Sequence, residues 1–455
     1  MGKLIVDSIH GDIRLTDEER GVIDTASFQR LRSLKQLGMG QVTYPGATHT
    51  RFAHSIGVLG IMARVTDIAR EALGLKDDQV KNIRLAGLLH DIGHYPYSHL
   101  MEVIDNVILT EDFVGSDPKT LDASKDKYQD HEEIGELIVT QQGDILAALG
   151  GEQRAKQIAD LFRRNETADP QLSKLIHSSL DMDRLDYLIR DTKAAGVPYG
   201  QIDLNYLINS LRVSKSGVIG VERKAITALE HFALARFFMH KAVYFHKTTF
   251  GIEEACRQLL RRCKNAASHG VPISSREVRE IVTGEALGTF TDAFVDRIIQ
   301  NATADRDECI RSLAQSIQNR RTPKLVKQVV ELGAEDGKGR LFKSECKHQL
   351  SKLAARLGIH VGRFLYATTK PLAVEKRGGR LDVRAARDLE SEERDELMKV
   401  FIGENDEPIS LVDVPETLLH HLGSQRWFAH RLYIVDNGNP ELVVRAREAV
   451  AKWDT

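Results

Sequence analysis

The residues best suited to chemistry lie in one short segment, Leu88-Leu89-His90-Asp91-Ile92-Gly93-His94-Tyr95-Pro96-Tyr97-Ser98-His99-Leu100-Met101-Glu102. Imidazole nitrogen beside carboxylate oxygen is a donor set that divalent first-row metals accept. His90 and Asp91 supply that pair at the end of an apolar stretch. His54 could add a third donor, and Asp183, in Leu180-Asp-Met-Asp-Arg-Leu-Asp-Tyr187, a fourth. Three segments would then converge on one ion, with open positions for a nucleophilic water. A His-Asp dipeptide alone carries little weight, because a histidine on an apolar helix is commonly a hydrogen-bonded core residue. Its neighbours add weight. On a helix, His94 would lie one turn beyond His90 on the same face, and His99 and Glu102, three apart, could share a face. Acid–base groups beside a metal are what phosphoryl transfer uses.

Helices must position these groups. One is expected to open near Thr50 and carry His54 with Ile56, Val58, Leu59 and Met62. Another, over about 80–93, has Ile83, Leu85, Leu88 and Leu89 on its apolar side and must give way at Pro96, which offers no amide donor. Ser173–Thr192 reads as the helix bearing Asp183, and about 225–264 as one long helix. Upstream, Val22, Ile23, Phe28, Leu31 and Leu34 have helical spacing, ending at Gly38-Met-Gly40 and the Tyr44-Pro45-Gly46 turn. Two short β-prone runs around Ser216-Gly217 predict a hairpin. Residues 265–345 read as shorter helices, on which Arg320, Arg321, Lys324 and Lys327 form a solvated surface. Further on, Leu432–Val435 reads as a strand, Asn437-Gly438 as a turn and Val443–Lys452 as a final helix. The expected fold is mainly α, a helical core with a small β-hairpin. A boundary near 345 separates units of 1–345 and 346–455, the second a mixed α+β region.

Composition narrows the class. At ~100–200 residues per domain, 455 residues imply two or three units or one large helical core with additions. Lys+Arg 63 against Asp+Glu 65 leaves a formal charge of −2, which argues against a polybasic nucleic-acid arm and makes a nucleic-acid substrate unlikely without excluding it. The apolar stretches fall short of the ~20 residues of a membrane span, and Met1–Asp7 lacks a signal-peptide core. Gly2 is not followed by the usual myristoylation pattern. Cys256, Cys263, Cys309 and Cys346 form no CxxC pair, so reduced thiols in a cytoplasmic protein are expected.

In order and spacing, Phe28-Gln-Arg-Leu-Arg32, Lys35-Gln-Leu-Gly38, Tyr44-Pro-Gly-Ala47, Arg51-Phe-Ala-His-Ser55, His90-Asp-Ile-Gly-His94 and Asp183-Arg-Leu-Asp-Tyr187 resemble the HD-domain phosphohydrolase superfamily. Within it they look like the deoxynucleoside triphosphate triphosphohydrolases, closest to the branch whose animal member carries an N-terminal SAM domain. The resemblance covers about residues 3–265 and implies a chain without the SAM domain, for which nothing ahead of Lys3 leaves room.

The resemblance implies residue roles. His54, His90, Asp91 and Asp183 would bind one divalent metal per active site, whether Mn, Mg, Fe, Co, Ni or Zn. His94 matches the family's catalytic histidine, and His99 with Glu102 the following His–acid pair. The SAM-containing branch has Asp at the last position and a bacterial branch Glu, a mild departure. His131 in Gln129-Asp-His-Glu-Glu133 would complete the acid–base relay. Gln36 and Leu37 match deoxyribose sensors, and Arg51 and Arg184 phosphate ligands. Tyr187 and Asp191 match the sugar-lining pair, and Arg236 and Tyr244 further phosphate and base contacts. Lys3, Asp24, Gln29 and Arg32 match positions that contact effector nucleotides between subunits, although Asp24 and Arg32 could equally form a surface ion pair. The implied activity is metal-dependent hydrolysis of dNTPs to deoxynucleoside and tripolyphosphate, nucleotide-activated, in a homodimer or homotetramer. The alternatives are an HD-type phosphatase or phosphodiesterase on other nucleotides or single-stranded nucleic acid, and a non-catalytic nucleotide-sensing module.

Overall fold

The computed structural model describes residues 3–453 apart from 116–125, 166, 170–171, 174–175, 177–179, 334–336, 375–397, 404–406 and 423–424. The chain opens with an antiparallel hairpin that the hydrophobic pattern did not reveal, β1 (Lys3–Asp7) and β2 (Gly11–Leu15). Thr16 then starts helix Asp17–Ile23 with a reciprocal cap, its hydroxyl accepting from Glu19 N while the Glu19 carboxylate accepts from Thr16 N. Thr50 caps Arg51–Leu73, as the sequence predicts, and Gly74 closes that helix in the left-handed conformation. Its neighbours in the core are Asp77–Leu89 and Met182–Ala195.

Arg51–Leu73 departs from the membrane expectation. By length and composition it is apolar enough to cross a membrane. Two-thirds of its apolar window is buried inside the protein, and the buried Arg51, His54 and Ser55 lie on it. It is the central core helix.

The expected hairpin is β3 (Leu211–Val213) with β4 (Ile219–Glu222). It does not stand alone. β4 pairs in parallel with β8 (Lys399–Phe401), which pairs with β9 (Ile409–Ser410). The single helix expected over 225–264 is instead two, Ile226–Met239 and Lys247–Asn265, joined through a wide π turn at His240–Tyr244. That turn aims Tyr244 at the candidate site.

A further strand, β5 (Lys324–Leu332), lies where a basic helix surface was expected. The apolar positions Leu325, Val326, Val329 and Val330 fit either period. The choice is made by antiparallel pairing with β10 (Arg426–Ile434), about a hundred residues away in sequence. β10 also pairs with β6 (Phe364–Thr368) and β7 (Leu372–Ala373). The boundary near 345 therefore falls inside helix Lys338–Leu357, which packs on a sheet containing β5. On β10, Tyr433 joins the main core, while Leu432 and Ile434 face a second core with Phe342, Leu350, Phe364 and Ala446. Because both of its faces are covered, the end of the strand over Leu432–Ile434 reads as an unbroken apolar run. All four cysteines are free and buried.

Candidate metal centre and active site

His90 is the C-cap of helix Asp77–Leu89, so the helix ends before His94. His94 is therefore not a helical neighbour of His90, contrary to the i+4 expectation. Through the turn that follows, its ring instead stacks on His131 at 4.1 Å. Gly93 makes this possible, because a Cβ there would overlap the His131 carbonyl and the Gly135 backbone. Buried Arg30, from the first sequence motif, holds the turn. Its guanidinium donates to the carbonyls of Ile92 (3.0 Å), His94 (2.5 Å) and Phe290 (2.9 Å).

The four candidate ligands converge. His54 Nε2 lies 2.8 Å from Asp183 Oδ1 and 3.6 Å from Asp91 Oδ2, and His90 Nε2 lies 3.3 Å from Asp91 Oδ1 and 3.7 Å from Asp183 Oδ1. The opposite ring nitrogens are tied down: His54 Nδ1 donates to Asp186 Oδ2 at 2.7 Å and His90 Nδ1 to the Gly87 carbonyl at 2.7 Å. Both Nε2 atoms are buried and, among the described residues, face only these carboxylates. Buried imidazoles whose far nitrogens are anchored, with lone pairs directed at two carboxylates, fit a divalent cation. Burial opposes charge on His54, yet Asp183, Asp186 and Asp91 outweigh it and push its pKa up to about 10. Burial likewise opposes ionisation of Asp91, but Arg51, His90 and His94 hold it well below the usual carboxylate range. The pocket thus demands positive charge at its centre.

Beside it stands the acid–base group. His99 Nδ1 donates to Glu102 Oε2 at 2.8 Å; Glu102 Oε1 accepts from His131 N and Nδ1, both at 2.9 Å. Burial alone would lower the His131 pKa, but Glu102 raises it to about 9. Burial would raise Glu102, but His131 and His99 keep it well below the normal carboxylate range. His94 is different: burial, Arg51 and His131 hold it well below the normal imidazole value. Donor atoms of His94, His99, Glu102 and His131 lie within 4.8 Å of one another, close enough to hold a cation as well. Because both Glu102 oxygens are committed to histidines, the group serves better as a proton chain.

A cavity of about 330 Å³ opens next to these groups, lined by Gln36, Leu37, Arg51, Arg184, Tyr187, Asp191, Arg236 and Tyr244. All eight sequence-predicted substrate residues meet there. Asp191 accepts from Tyr244 OH at 2.8 Å and pairs with His49 Nε2 at 2.7 Å. Arg51 spans both zones, donating to Asp91 Oδ2 at 2.6 Å and to Ser98 Oγ at 2.9 Å. Tyr97 and Ser98 adopt positive φ (55° and 56°), a strained turn before His99 that is held by Tyr97 N to Asp292 and Ser98 Oγ to the Lys35 carbonyl. A larger open groove of about 870 Å³ lies between the N-terminal hairpin and Leu204, away from all candidate ligands. The smaller cavity is the chemically equipped one.

Sequence reasoning missed several contributors. Lys370, Pro371, Leu372 and Ala373, from the C-terminal sheet, also line the cavity, and no local motif marks them. Arg30, His49, Asp186 and Arg190 sit inside or beside the quoted motifs, where their charge in apolar surroundings was a usable signal. The proposed effector residues are less assembled. Arg32 Nε donates to Gln29 Oε1 at 2.6 Å and stacks over Phe52, and no Asp24–Arg32 ion pair occurs among the described residues. Lys3 lies on β1.

A helical core that gathers His, His-Asp and Asp donors beside buried histidines is the arrangement that marks an HD domain. The chain belongs to the HD-domain superfamily: residues 51–191 match the HD domain and 202–363 the HD-associated region. It is 34% identical over 249 residues to an uncharacterized protein of Methanocaldococcus jannaschii, covering 54% of this chain and 46% of that one. It is 28% identical over 339 residues to a Dictyostelium discoideum protein named deoxynucleoside triphosphate triphosphohydrolase SAMHD1 homolog, covering 72% and 60%. A phosphohydrolase structure from Bacteroides thetaiotaomicron shares the fold, with TM-score 0.68 and 24% identity over 95% of this chain and 99% of that one. The chain spans about half the length of the curated relatives it matches.

Proposed function

We propose that this protein hydrolyses deoxynucleoside triphosphates to deoxynucleoside and tripolyphosphate, with one divalent metal per site. The observation that carries this reading is adjacency: Asp183 of the ligand set and His99 of the His99–Glu102–His131 chain line the same cavity as Gln36, Arg51 and Tyr244, while His90, Asp91 and His131 line a smaller one that shares Asp183 and Arg184 with it. A bound cation would supply Lewis-acid charge at the phosphorus under attack. The protein's own groups do the rest. Arg184 and Arg236 would hold phosphate oxygens, with Arg51 adding positive charge from its place against Asp91. His99, backed by Glu102 and His131, would deliver a proton to the leaving 5′-oxygen. The buried Gln36 side-chain oxygen makes no hydrogen bond and suits a donating 3′-hydroxyl. Asp191, held by Tyr244 and His49, and Tyr187 would close the sugar face.

Activation by a second nucleotide, through Lys3, Asp24, Gln29 and Arg32 in a homo-oligomer, is the regulatory part of the proposal. The test is chromatographic product analysis with each dNTP and NTP, with Mn²⁺ or Mg²⁺, and with and without a second nucleotide. Tripolyphosphate from dNTPs is the expected product. Release of inorganic phosphate, or turnover of NTPs and dNTPs alike, would overturn the reading in favour of a general HD phosphatase.

A further inference from the structure

One buried network lies outside the proposed catalytic and substrate groups and touches a candidate ligand directly. Asp186 is fully buried, one turn beyond Asp183 on helix Met182–Ala195. Oδ2 accepts from His54 Nδ1 at 2.7 Å and from Arg190 Nε at 2.7 Å. Oδ1 accepts from His10 Nε2 at 2.6 Å and from Arg190 Nη2 at 2.8 Å. Arg190 reaches on to Asp7, with contacts of 3.0 and 3.1 Å. Asp7 Oδ1 in turn accepts from the backbone amides of Ile9 and His10 at 2.8 and 2.9 Å, which shapes the turn between β1 and β2. The chain from turn to ligand is thus continuous: the hairpin turn sets His10, His10 holds Asp186, and Asp186 holds His54.

The packing is specific to this arrangement. Gly57 lies one turn beyond His54, and a Cβ there would overlap both Asp186 Oδ1 and Arg190 Nη2. The central helix therefore has no side chain at the point where the network crosses it. Neither Asp7 nor His10 lines the substrate cavity. Outer partners that fix the tautomer and tilt of a ligating histidine commonly change metal affinity 10- to 100-fold when removed.

We propose that the N-terminal hairpin is a positioning element of the metal centre, in which His10, acting through Asp186, fixes His54 with its Nε2 lone pair towards the cation. The inference rests on the metal-centre reading but not on the identity of the nucleotide. His10 is a positioning residue, since it touches neither substrate nor metal. Without it, Asp186 Oδ1 loses one of its two donors and keeps only Arg190, so the carboxylate is set less tightly against His54. A side-chain amide at position 10 can still donate to Asp186, whereas alanine cannot.

The test uses the full chain with Co²⁺ as probe. Affinity comes from calorimetric titration and coordination from the visible Co²⁺ spectrum, in wild type, His10→Ala, His10→Gln and His90→Ala. Thermal melting of each metal-free protein serves as the folding control. His10→Ala should bind Co²⁺ about tenfold more weakly and show an altered spectrum. His10→Gln should restore both towards wild type. Wild-type affinity and spectrum in His10→Ala would overturn the proposal, as would an equal loss in both variants accompanied by equal loss of melting temperature. Retained Co²⁺ binding in His90→Ala would instead overturn the metal-centre reading, so the two failures are told apart.

Discussion

The HD core and the C-terminal sheet treat buried polar groups in opposite ways. In the core, the Nε2 atoms of His54, His90 and His94 are buried and, among the described residues, face only the carboxylates of Asp91 and Asp183, at closest 2.8–3.3 Å. In the sheet, the buried polar groups are spent on structure. Glu331 accepts from the amide of Gly339, His430 pairs with Tyr366 OH, and Arg431 donates to Gln328 and to the carbonyl of Phe245. Carboxylates gathered around buried imidazoles hold negative charge that a cation would balance, so these groups are placed for a ligand rather than for the fold. One region is arranged to bind, the other to hold. Among the described residues, the C-terminal part reaches the cavity through Lys370, Pro371, Leu372 and Ala373 and through the Val374 carbonyl, which accepts from Arg236.

The sharpest way to break this contrast is His90→Ala. It should abolish Mn²⁺ binding and tripolyphosphate release while leaving the fold intact by circular dichroism; full activity would mean that the open imidazoles are not ligands. Next comes His131→Ala. It should lower kcat by about 10²–10⁴-fold with Mn²⁺ affinity retained, separating the proton chain from the metal set in a turnover and titration pair. On the helix Lys338–Leu357 that covers the sheet, Phe342→Ala empties a fully buried site in the second core. A loss of about 3–5 kcal/mol in denaturant unfolding is expected, with no change in Mn²⁺ affinity. A parallel loss of metal binding would show that the two regions are one cooperative unit.

The smallest effect concerns pH. His131 is raised from 6.5 to about 9 in the fold, so its pairing with Glu102 stabilises fully below about 6.5 and fades as pH rises through about 9. Glu102 is depressed below its ordinary 4.5, so its share is present above that value and is lost as pH falls further. The melting-temperature gap between wild type and Glu102→Gln should therefore be widest between these limits and narrow at either side. A gap that stays constant from below pH 4.5 to above pH 9 would argue that the pair carries no charge.

Much of the core was legible because its chemistry is local. Thr50 as the start of the central helix follows from residue type and spacing, whereas Gly93 lies beyond a helix that stops at Leu89 and Asp183 on the first turn of one that Asp181 caps. His131 was harder to place, since the segment before it varies in length; its stacking on His94 fixes its position. The hairpin β1–β2 and strand β5 escaped because short runs such as Lys3–Asp7 and Lys324–Leu332 fit more than one period. Their partners, four and about a hundred residues on, make the choice.

The sequence by itself determined the donor types, the start of the central helix at Thr50, and a fold dominated by helix. Each of these depends on interactions within a few residues. Tertiary structure alone decided that His94 turns from His90 to His131, that Tyr244 reaches Asp191 across a π turn, and that a histidine on the N-terminal hairpin fastens a ligand on the central helix. Those contacts join segments far apart in the chain, where no periodicity carries information. They are set by which buried charges find partners and by where a glycine leaves room for them.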